Sequence, residues 1–339
     1  MRNKDTILIS AVGGDIGQGV LRSLELSKKR VRTIGLDVTS EASGLYMCDK
    51  GYVVPKASDA TAYIKRLTEI CKKENVVLAF ICNEAEQFVV ASYAEKLGQS
   101  LPTIFIVQPR PVLDISLDKL ATYRFLEKRG IRVPKTAVTP SEARELIREC
   151  GFPLILKSRR GAGSKHLHHV TNNKEFAEFW KSVPEPLLQE FVRNESEDEY
   201  TVGVFLDRES RSCGSIAMLR KLRYGLTWTA IADNFPDVSA LAVQVAEAIK
   251  AVGPCNVQMR RDREGALCIL EINARISSTT PLRALLGFNE VSASLDYFLR
   301  GKYPSFTVRS GFAMKKWSEL VVPRSLHTRL LKNKVIERE

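Results

Sequence analysis

The first third of the chain alternates short apolar runs with stretches in which apolar residues recur every three or four positions. Short apolar runs predict buried strands, and the amphipathic stretches between them predict helices. The predicted elements are strands over residues 6–11, 32–37, 76–82 and 103–107, and helices over residues 18–27, 63–73 and 84–97. This alternation is typical of a parallel sheet covered by helices on both faces, and we expect it to end near residues 109–111.

The pattern changes after this region. A small α/β unit is predicted from helices over residues 118–129 and 141–150 and strands over residues 136–138 and 154–157. A largely antiparallel sheet follows, with strands over residues 187–191, 200–206, 214–219, 226–232, 255–260 and 266–273, and the helix over residues 238–252 covers it. The fold class is therefore α/β and α+β. We divide the chain into an α/β domain (1–113), a small lobe (114–186), a large antiparallel lobe (187–304) and a strand and helix extension (305–339).

The last two strands of the large lobe carry polar residues at alternate positions. A period of two places Ile269, Glu271, Asn273 and Arg275 on one face, and Cys268, Leu270, Ile272 and Ala274 on the other. Gln258 has the corresponding place on the preceding strand. Carboxylate and amide oxygens suit Mg²⁺, which fills the rest of its coordination shell with water and substrate phosphates. The alternative is the ordinary polar face of an antiparallel hairpin.

Composition narrows the class of ligand. The chain has 339 residues, and 51 basic residues against 39 acidic ones leave a net charge of +12. This excess favours anionic ligands such as nucleotides and keeps nucleic acid as an alternative partner. The cations that favour nucleic acid are Arg220, Lys221 and Arg223, and a tail containing Arg324, Arg329, Lys332, Lys334 and Arg338. The tail is equally consistent with a solvated helix face.

The seven cysteines lack any C-x-x-C spacing, so we interpret them as small buried residues in a reducing compartment rather than as zinc ligands. No apolar run in the sequence is long enough for a membrane helix. The amino terminus also lacks a signal-peptide core. These features predict a cytoplasmic protein with no membrane partner.

Two glycine-containing turns are candidate phosphate sites. The first, residues 13–19, follows a strand and opens a helix, and Asp37 ends the next strand where a ribose-binding acid is found in nicotinamide enzymes. It is not a clean G-x-G-x-x-G. The second, residues 160–165, follows a strand that ends in Lys157, and its glycines, its cations and Ser164 suit a lid over a polyphosphate. A hairpin turn with surface cations is the alternative.

The order of these features resembles the ATP-grasp superfamily, and most closely one ATP-grasp unit of the carbamoyl-phosphate synthetase large subunit. The resemblance covers roughly residues 1 to 300, with a Rossmann-like (pre-ATP-grasp) domain before a two-lobed ATP-grasp domain. The matching motifs are Asp118-Lys119, Lys157 before the glycine loop, Leu188-Gln189-Glu190-Phe191-Val192, Glu199-Tyr200, Asn256-Val257-Gln258 and Glu271-Ile272-Asn273-Ala274-Arg275.

The resemblance implies a role for each matched residue. Lys119 and Lys157 would contact the α- and β-phosphates of ATP, Glu190 with the backbone of Phe191 and Val192 would meet adenine, and Glu199 would accept the ribose hydroxyls. Gln258, Glu271 and Asn273 would hold one or two Mg²⁺ ions, or Mn²⁺, with Arg275 beside the transferring phosphoryl group. Phosphoryl transfer requires mainly positioning and charge neutralisation, which these groups supply.

Two features depart from the family pattern. His166 replaces the third glycine of the lid loop, and we interpret the following His168-His169 as strand, with a metal site as the less favoured alternative. Gln258 stands where many members have an acid, which predicts weaker divalent binding there.

The predicted function is an ADP-forming ligase that activates a small carboxylate as an acyl phosphate and joins it to an amine. We expect the carboxylate near Gly14 and Glu84, and Arg283 is a candidate clamp for it, with a surface salt bridge as its alternative role. The alternatives are a nicotinamide-dependent oxidoreductase, a basic nucleic-acid-binding protein and a catalytically silent nucleotide-binding subunit. A homodimer formed through the amino-terminal sheet is also considered.

Overall fold

The computed structural model describes residues 4–161, 166–192, 199–316 and 318–337. Its amino-terminal domain is a parallel sheet with helices on both faces. The strands are β1 (Asp5–Ile9), β2 (Val31–Asp37), β3 (Lys50–Val53), β4 (Val76–Phe80) and β5 (Ile104–Ile106), in the order β3-β2-β1-β4-β5. The helices are α1 (Asp15–Ser27), α2 (Gly44–Met47), α3 (Ala60–Glu74), α4 (Glu84–Ser92) and α5 (Ala94–Ser100). The predicted α/β fold of this region is confirmed.

Two helices lead out of this domain, α6 (Arg110–Ser116) and α7 (Lys119–Glu127). The sequence pattern predicted that α7 belongs to the small lobe. Instead, Leu120, Tyr123 and Leu126 of α7 share a buried core with the strands of the large lobe. The apolar face of a helix shows that it packs on a sheet, but the order of elements does not show which sheet, so the assignment of α7 to the small lobe was wrong.

The small lobe is a four-stranded sheet backed by two helices. Its elements are β6 (Thr136–Ala137), α8 (Pro140–Cys150), β7 (Leu154–Ser158), β8 (His168–Val170), α9 (Asn173–Ser182) and β9 (Pro186–Glu190). The sheet order is β6-β9-β7-β8, and β9 runs antiparallel to β7. The prediction placed β9 in the large lobe, so the boundary moves from residue 186 to the end of β9.

The large lobe is an antiparallel sheet of six strands with the order β14-β13-β10-β11-β12-β15. The strands are β10 (Glu199–Leu206), β11 (Ser212–Arg223), β12 (Leu226–Ala232), β13 (Gly253–Arg261), β14 (Leu267–Asn273) and β15 (Gly311–Met314). Helix α10 (Pro236–Ala248) buries Val238, Ala242 and Val245 against one face. Helices α11 (Thr280–Leu285) and α12 (Glu290–Ser294), with a π-helical turn at Leu295–Leu299, follow β14.

The last described residues return to the amino-terminal domain. Helix α13 (Arg324–Asn333) buries Leu330 in the core of that domain, and β16 (Val335–Glu337) pairs antiparallel with β3. The expectation of a purely parallel amino-terminal sheet was therefore wrong at this edge, because the pairing joins β3 to a segment from the opposite end of the chain. Arg338 of the predicted basic tail lies outside the described residues. None of the helices in the described ranges is long and apolar enough to cross a membrane.

Candidate nucleotide and metal site

A cavity of about 710 Å³ opens where the amino-terminal domain, the small lobe and the large lobe meet. It gathers residues that lie far apart in the sequence. The predicted site residues that line it are Gly14, Lys119, Lys157, Glu190, Phe191, Val192, Glu199, Gln258, Glu271, Asn273 and Arg275. Ser164 and most of the lid loop lie outside the described residues. The motifs predicted from the sequence therefore face one another across a single space.

The polar face of the last two strands is built by cross-strand pairs. Gln258 lies opposite Glu271, and Asn256 lies opposite Asn273. A β-bulge between these pairs and the next one makes Met259 partner Ile269 and leaves Leu270 unpaired in the ladder. The predicted alternation with a period of two was therefore wrong for the residues that precede Glu271. Ile269 is buried in the core, and Leu270 lines the cavity.

A buried tyrosine connects the strand that carries Lys157 with this bulge. The Tyr123 hydroxyl accepts hydrogen bonds from Lys157 Nζ (3.1 Å) and Gln189 Nε2 (2.8 Å), and it donates one to the carbonyl oxygen of Leu270 (2.8 Å). Lys157 is thus fixed relative to the residue that precedes Glu271. Tyr123 was not predicted as a site residue, because its position in an amphipathic helix indicates only packing.

Lys157 is an ammonium in an unfavourable environment. Burial lowers the pKa of Lys157 to about 8, while the nearby carboxylates of Glu271 and Glu199 oppose this shift. Burial destabilises the charged ammonium because it loses contact with water, and the neighbouring carboxylates stabilise the same charge. A polyphosphate placed at Lys157 would add further negative charge beside the ammonium and favour its charged form.

Lys119 holds the base of the lid loop. Its Nζ donates to the carbonyl oxygen of Gly161 (2.8 Å), and its neighbour Asp118 caps α7. Asp118 also receives two hydrogen bonds from Arg159 (2.7 and 2.6 Å) and one from Arg160 (3.1 Å). Although burial alone would raise it, these arginine contacts hold the pKa of Asp118 below its usual value. The Asp118-Lys119 pair therefore fixes the start of the loop over the cavity.

The residues predicted to contact adenine and ribose lie at the end of β9 and the start of β10. Glu190 is anchored at the end of β9, where its backbone N–H donates to Lys135 O (2.9 Å) and its carboxylate accepts from Lys135 N (3.1 Å). Glu199 begins β10 and forms ion pairs with Arg220 and Arg260. Arg220 also donates to Gln258 Oε1 (2.9 Å). Arg220 is only 8% exposed, so its proposed place on a nucleic-acid-binding surface was wrong.

Arg275 links the metal face to the amino-terminal domain. Its guanidinium donates to Asn273 Oδ1 (2.7 Å) and to Glu84 Oε1 (2.7 Å). Glu84, which was predicted as a substrate contact, is therefore used to hold Arg275. Gly14, at the start of α1, does line the cavity.

Asp37 does not have the geometry of a free ribose-binding acid. One carboxylate oxygen accepts from Gly13 N (2.8 Å), and the other accepts from Val38 N (2.7 Å) and Thr39 N (3.3 Å). Asp37 therefore stabilises the first glycine turn itself. This arrangement disfavours the nicotinamide alternative.

The position of Arg283 contradicts the prediction that it clamps the substrate carboxylate. It is fully buried and forms an ion pair with Glu290 (2.8 Å), which is equally buried. Its Nη2 donates to Ser277 Oγ (2.6 Å), Asn256 Oδ1 (2.5 Å) and Thr279 Oγ1 (2.5 Å). Arg283 is neither a substrate clamp nor part of a surface salt bridge, because its side chain is buried beneath the sheet. The guanidinium packs so closely on Gly203 that a Cβ at that position would collide with it. Arg283 instead supports three residues of the cavity wall.

The histidine cluster is structural in the described part of the chain. His166 has a positive φ, so it adopts the left-handed backbone conformation that favours glycine, the residue usual at this position. His168 stacks on Phe179, and His169 contacts the edge of Phe191. Within the described ranges, no group of three His, Cys, Asp or Glu residues could hold a metal.

Glu271, Asn273 and Gln258 present one carboxylate and two amide groups that could hold a divalent ion at the cavity. They come from adjacent strands and face the same cavity. Oxygen ligands of this kind fit Mg²⁺ or Mn²⁺. Only one of the three is a carboxylate, so the set suits an ion that takes further oxygens from a phosphate group.

Comparison with protein families identifies both parts of the chain. Residues 116–279 match the family described as ATP-grasp domain, and residues 7–100 match the family described as PylC-like, N-terminal domain. A curated relative is the carbamoyl phosphate synthase large chain of Pyrococcus furiosus, 20% identical over 285 residues. The alignment covers 78% of this chain and 26% of the relative, so the chain spans about a quarter of that protein's length.

Solved structures share the fold. The N5-carboxyaminoimidazole synthetase of Staphylococcus aureus, complexed with ADP, superposes with a TM-score of 0.73 at 16% identity, covering 98% of this chain and 86% of its own. The biotin carboxylase domain dimer of the Hydrogenobacter thermophilus 2-oxoglutarate carboxylase, in complex with MgADP, ADP and bicarbonate, gives 0.71 at 16% identity, covering 92% and 74%. At 16% identity the likeness shows a shared fold.

Proposed function

Because the chain carries an ATP-grasp domain and so belongs to the ATP-grasp superfamily, we propose that it is an ADP-forming ligase that joins a carboxylate to an amine. One observation carries the proposal: Lys157, Glu271 and Asn273 line the same cavity. The Tyr123 hydroxyl bonds both Lys157 and the backbone next to Glu271. A triphosphate placed between them would be neutralised from both sides, as phosphoryl transfer requires.

The predicted residues that line the cavity have the following roles in the proposed reaction. Lys119 and Lys157 bind the α- and β-phosphates, Glu190 with the backbone of Phe191 and Val192 binds adenine, and Glu199 accepts the ribose hydroxyls. Glu271, with Asn273 and Gln258, would hold Mg²⁺, which supplies charge neutralisation at the phosphates when bound. Arg275, whose guanidinium donates to Glu84 and Asn273, would lie beside the transferring phosphoryl group.

The chemistry proceeds in two steps. A carboxylate oxygen attacks the γ-phosphorus of ATP, the bond to ADP breaks, and an acyl phosphate forms. The amine then attacks the acyl carbon, an amide bond forms, and phosphate leaves with the loss of a proton from nitrogen. The first step converts a poor leaving group into a good one, and a closed lid protects the intermediate from water.

We assign the carboxylate to the region where the amino-terminal domain meets the metal face. That end of the cavity is lined by Gly14, Cys82 and Asn83 from one side and by Ser277, Ser278 and Thr279 from the other. Bicarbonate belongs among the candidates, since the Hydrogenobacter structure contains it. A homodimer, as in that structure, and a cytoplasmic location remain predictions of the sequence.

The test is ADP formation by the purified protein with Mg²⁺ and ATP, across a panel of amino acids, small carboxylates and bicarbonate, with and without amines. Glu271→Gln removes the single carboxylate of the metal face, so we expect ADP formation to fall by at least about 100-fold while the fold is kept. Glu264→Gln, at the exposed far end of the same hairpin, is the matched control. No ADP with any substrate would instead indicate a silent nucleotide-binding subunit.

A further inference from the structure

The hairpin between β11 and β12 carries exposed apolar side chains at the cavity. Arg223 pairs with Leu226, so the loop of the hairpin contains only Tyr224 and Gly225. Leu222, Tyr224, Gly225 and Leu226 all line the cavity, although Leu222 is 44% exposed and Tyr224 is 82% exposed. Apolar surface that stays exposed to water contributes little to the stability of the fold.

Tyr224 is also an unusual residue for its turn. Tyr224 and Gly225 both have positive φ angles (54° and 72°), as the two central residues of a type I′ turn require. Asn and Gly are the usual residues there, because a bulky side chain is strained in the left-handed backbone conformation. The turn therefore presents an exposed aromatic ring to the cavity at a cost in free energy, which indicates a role in binding rather than in folding.

Arg223 holds the two aromatic rings of the hairpin. Its guanidinium carbon lies 5.2 Å from the centroid of the Tyr224 ring and 5.0 Å from the centroid of the Trp228 ring. A guanidinium at this distance is attracted to the face of an aromatic ring. The position of the Tyr224 ring is thus supported by contacts within the hairpin.

A chain of contacts places the hairpin next to the region proposed for the carboxylate. The backbone N–H of Lys315 donates to the carbonyl oxygen of Trp228 (2.9 Å), and the Lys315 ammonium forms an ion pair with Asp15. Asp15 begins α1 directly after Gly14, and Asp15 and Ile16 both line the cavity. The second strand of the hairpin is therefore tied to the turn that borders the carboxylate region. Because Lys315 already neutralises Asp15, this border offers a ligand mainly apolar contacts.

We propose that Tyr224 and Leu222 determine substrate specificity, and that they select a carboxylate whose non-reacting part is an apolar tail. The inference rests on the proposed function for the reaction and adds the class of substrate. The carboxylate group lies between the amino-terminal domain and the metal face, and the tail extends along the hairpin toward the mouth of the cavity. Binding then removes apolar surface of the tail and of the hairpin from water. Bicarbonate has no tail and is a poor substrate for such a site.

Two homologous series of carboxylates measure this selection. The first contains acetate, butyrate and hexanoate, and the second contains glycine, norvaline and norleucine. ADP formation is followed with Mg²⁺, ATP and hydroxylamine, an amine that also traps an acyl phosphate as a hydroxamate. We expect kcat/KM of the wild type to rise by about two- to fourfold for each added methylene within the series that it accepts.

Tyr224→Asn separates binding from folding. Asn is favoured in the left-handed conformation of residue 224, so the midpoint of thermal unfolding should stay the same or rise, while the gain in kcat/KM per methylene should be largely lost. Leu222→Ser should also reduce this gain. Phe312→Ser is the matched control and should keep the wild-type gain, because Phe312 is similarly exposed (59%) but lies on β15, outside the cavity lining.

Two results overturn the proposal. The first is a wild type that uses acetate or bicarbonate as well as hexanoate, and glycine as well as norleucine. The second is a folded Tyr224→Asn protein that keeps the wild-type gain per methylene. If its kcat/KM falls by the same factor for every substrate, the hairpin contacts the nucleotide or the lid instead of the substrate tail.

Binding measurements separate this inference from the proposed function. Both series are titrated by calorimetry into protein saturated with Mg²⁺ and the non-hydrolysable analogue AMP-PNP. Affinity that rises with tail length, without ADP from any substrate, supports the apolar subsite and refutes the ligase assignment. ADP formation that does not depend on tail length supports the ligase and refutes the subsite. If no substrate yields ADP and the affinity does not rise with tail length, both fail.

Discussion

Lys157 is the side chain whose chemistry depends most on its surroundings. Burial lowers the pKa of Lys157 to about 8, with Glu271 and Glu199 opposing the shift. In the free protein the ammonium is therefore present below pH 8 and is lost as the pH rises above it. Binding a polyphosphate favours the charged form, so nucleotide binding above pH 8 requires the uptake of a proton.

We accordingly expect the affinity for AMP-PNP to fall by up to about tenfold per pH unit above pH 8. Lys157→Arg keeps its charge and should remove most of this slope, whatever its effect on affinity at pH 7. The measurement is calorimetric binding between pH 7 and pH 9.5, with Lys174→Arg on exposed α9 as the control. Equal slopes for the wild type and Lys157→Arg would show that another group titrates.

At the same scale, most of the site residues predicted from the sequence line the cavity, but several polar side chains were given the wrong role. Lys157, Glu271 and Asn273 follow from motif order, because each motif has its own place in the family. Arg220 was interpreted as a surface cation. Its ion pair with Glu199 depends on how β10 and β11 pair, and the sequence alone does not show which residues of two strands lie opposite each other. Arg283 was misplaced for a related reason: its partner Glu290 is close in sequence, but their joint burial depends on packing.

At the scale of elements, buried hydrogen bonds and ion pairs between helices and strands position the residues of the cavity wall. Arg283 of α11 reaches β13 and the loop before α11, while Glu290 of α12 neutralises it. The bulge in β14 turns Leu270 into the cavity, and Tyr123 of α7 bonds its carbonyl oxygen. Bulges and buried pairs of this kind depend on contacts between elements, which explains why strand periodicity did not predict them.

Arg283→Met tests the buried layer. The substitution leaves the Glu290 carboxylate buried without a counter-charge, so we expect the free energy of unfolding to decrease by about 3–5 kcal/mol. Chemical denaturation measures it. The double variant Arg283→Met/Glu290→Gln is the control and should recover part of the loss, because no unpaired charge remains. A loss below about 1 kcal/mol for Arg283→Met would contradict the structural role.

The last two elements of the chain, α13 and β16, pack on the amino-terminal domain. The predicted organisation of an α/β domain before a two-lobed unit is correct. Two elements pack on a different lobe from the predicted one: α7 packs on the large lobe, and β9 belongs to the sheet of the small lobe. The carboxy-terminal segment, with its basic residues, returns to the amino-terminal domain, where His327 contacts Tyr46 (2.7 Å) and β16 extends the sheet. The cations of α13, Arg324, Arg329 and Lys332, are exposed on this docked helix. Their exposure favours the interpretation of the basic tail as a solvated helix face.

A pair of adjacent leucines tests this docking. Leu330 is fully buried and Leu331 is 46% exposed. Leu330→Ala should decrease the free energy of unfolding by about 2–5 kcal/mol, because it opens a cavity in the core of the amino-terminal domain. Leu331→Ala should change it by less than about 1 kcal/mol. Equal effects in thermal or chemical denaturation would show that α13 does not pack as described.

The proposed function requires a magnesium-bound triphosphate between Lys157 and the Glu271 carboxylate, and calorimetric binding of AMP-PNP with Mg²⁺ or with EDTA measures this requirement. We expect Mg²⁺ to tighten wild-type binding by about 10- to 100-fold and Glu271→Gln to abolish most of this gain. Glu264→Gln should keep it, and Lys157→Met should weaken binding in both conditions. A Glu271→Gln protein that retains the full effect of Mg²⁺ would contradict the proposed metal site and the function that depends on it.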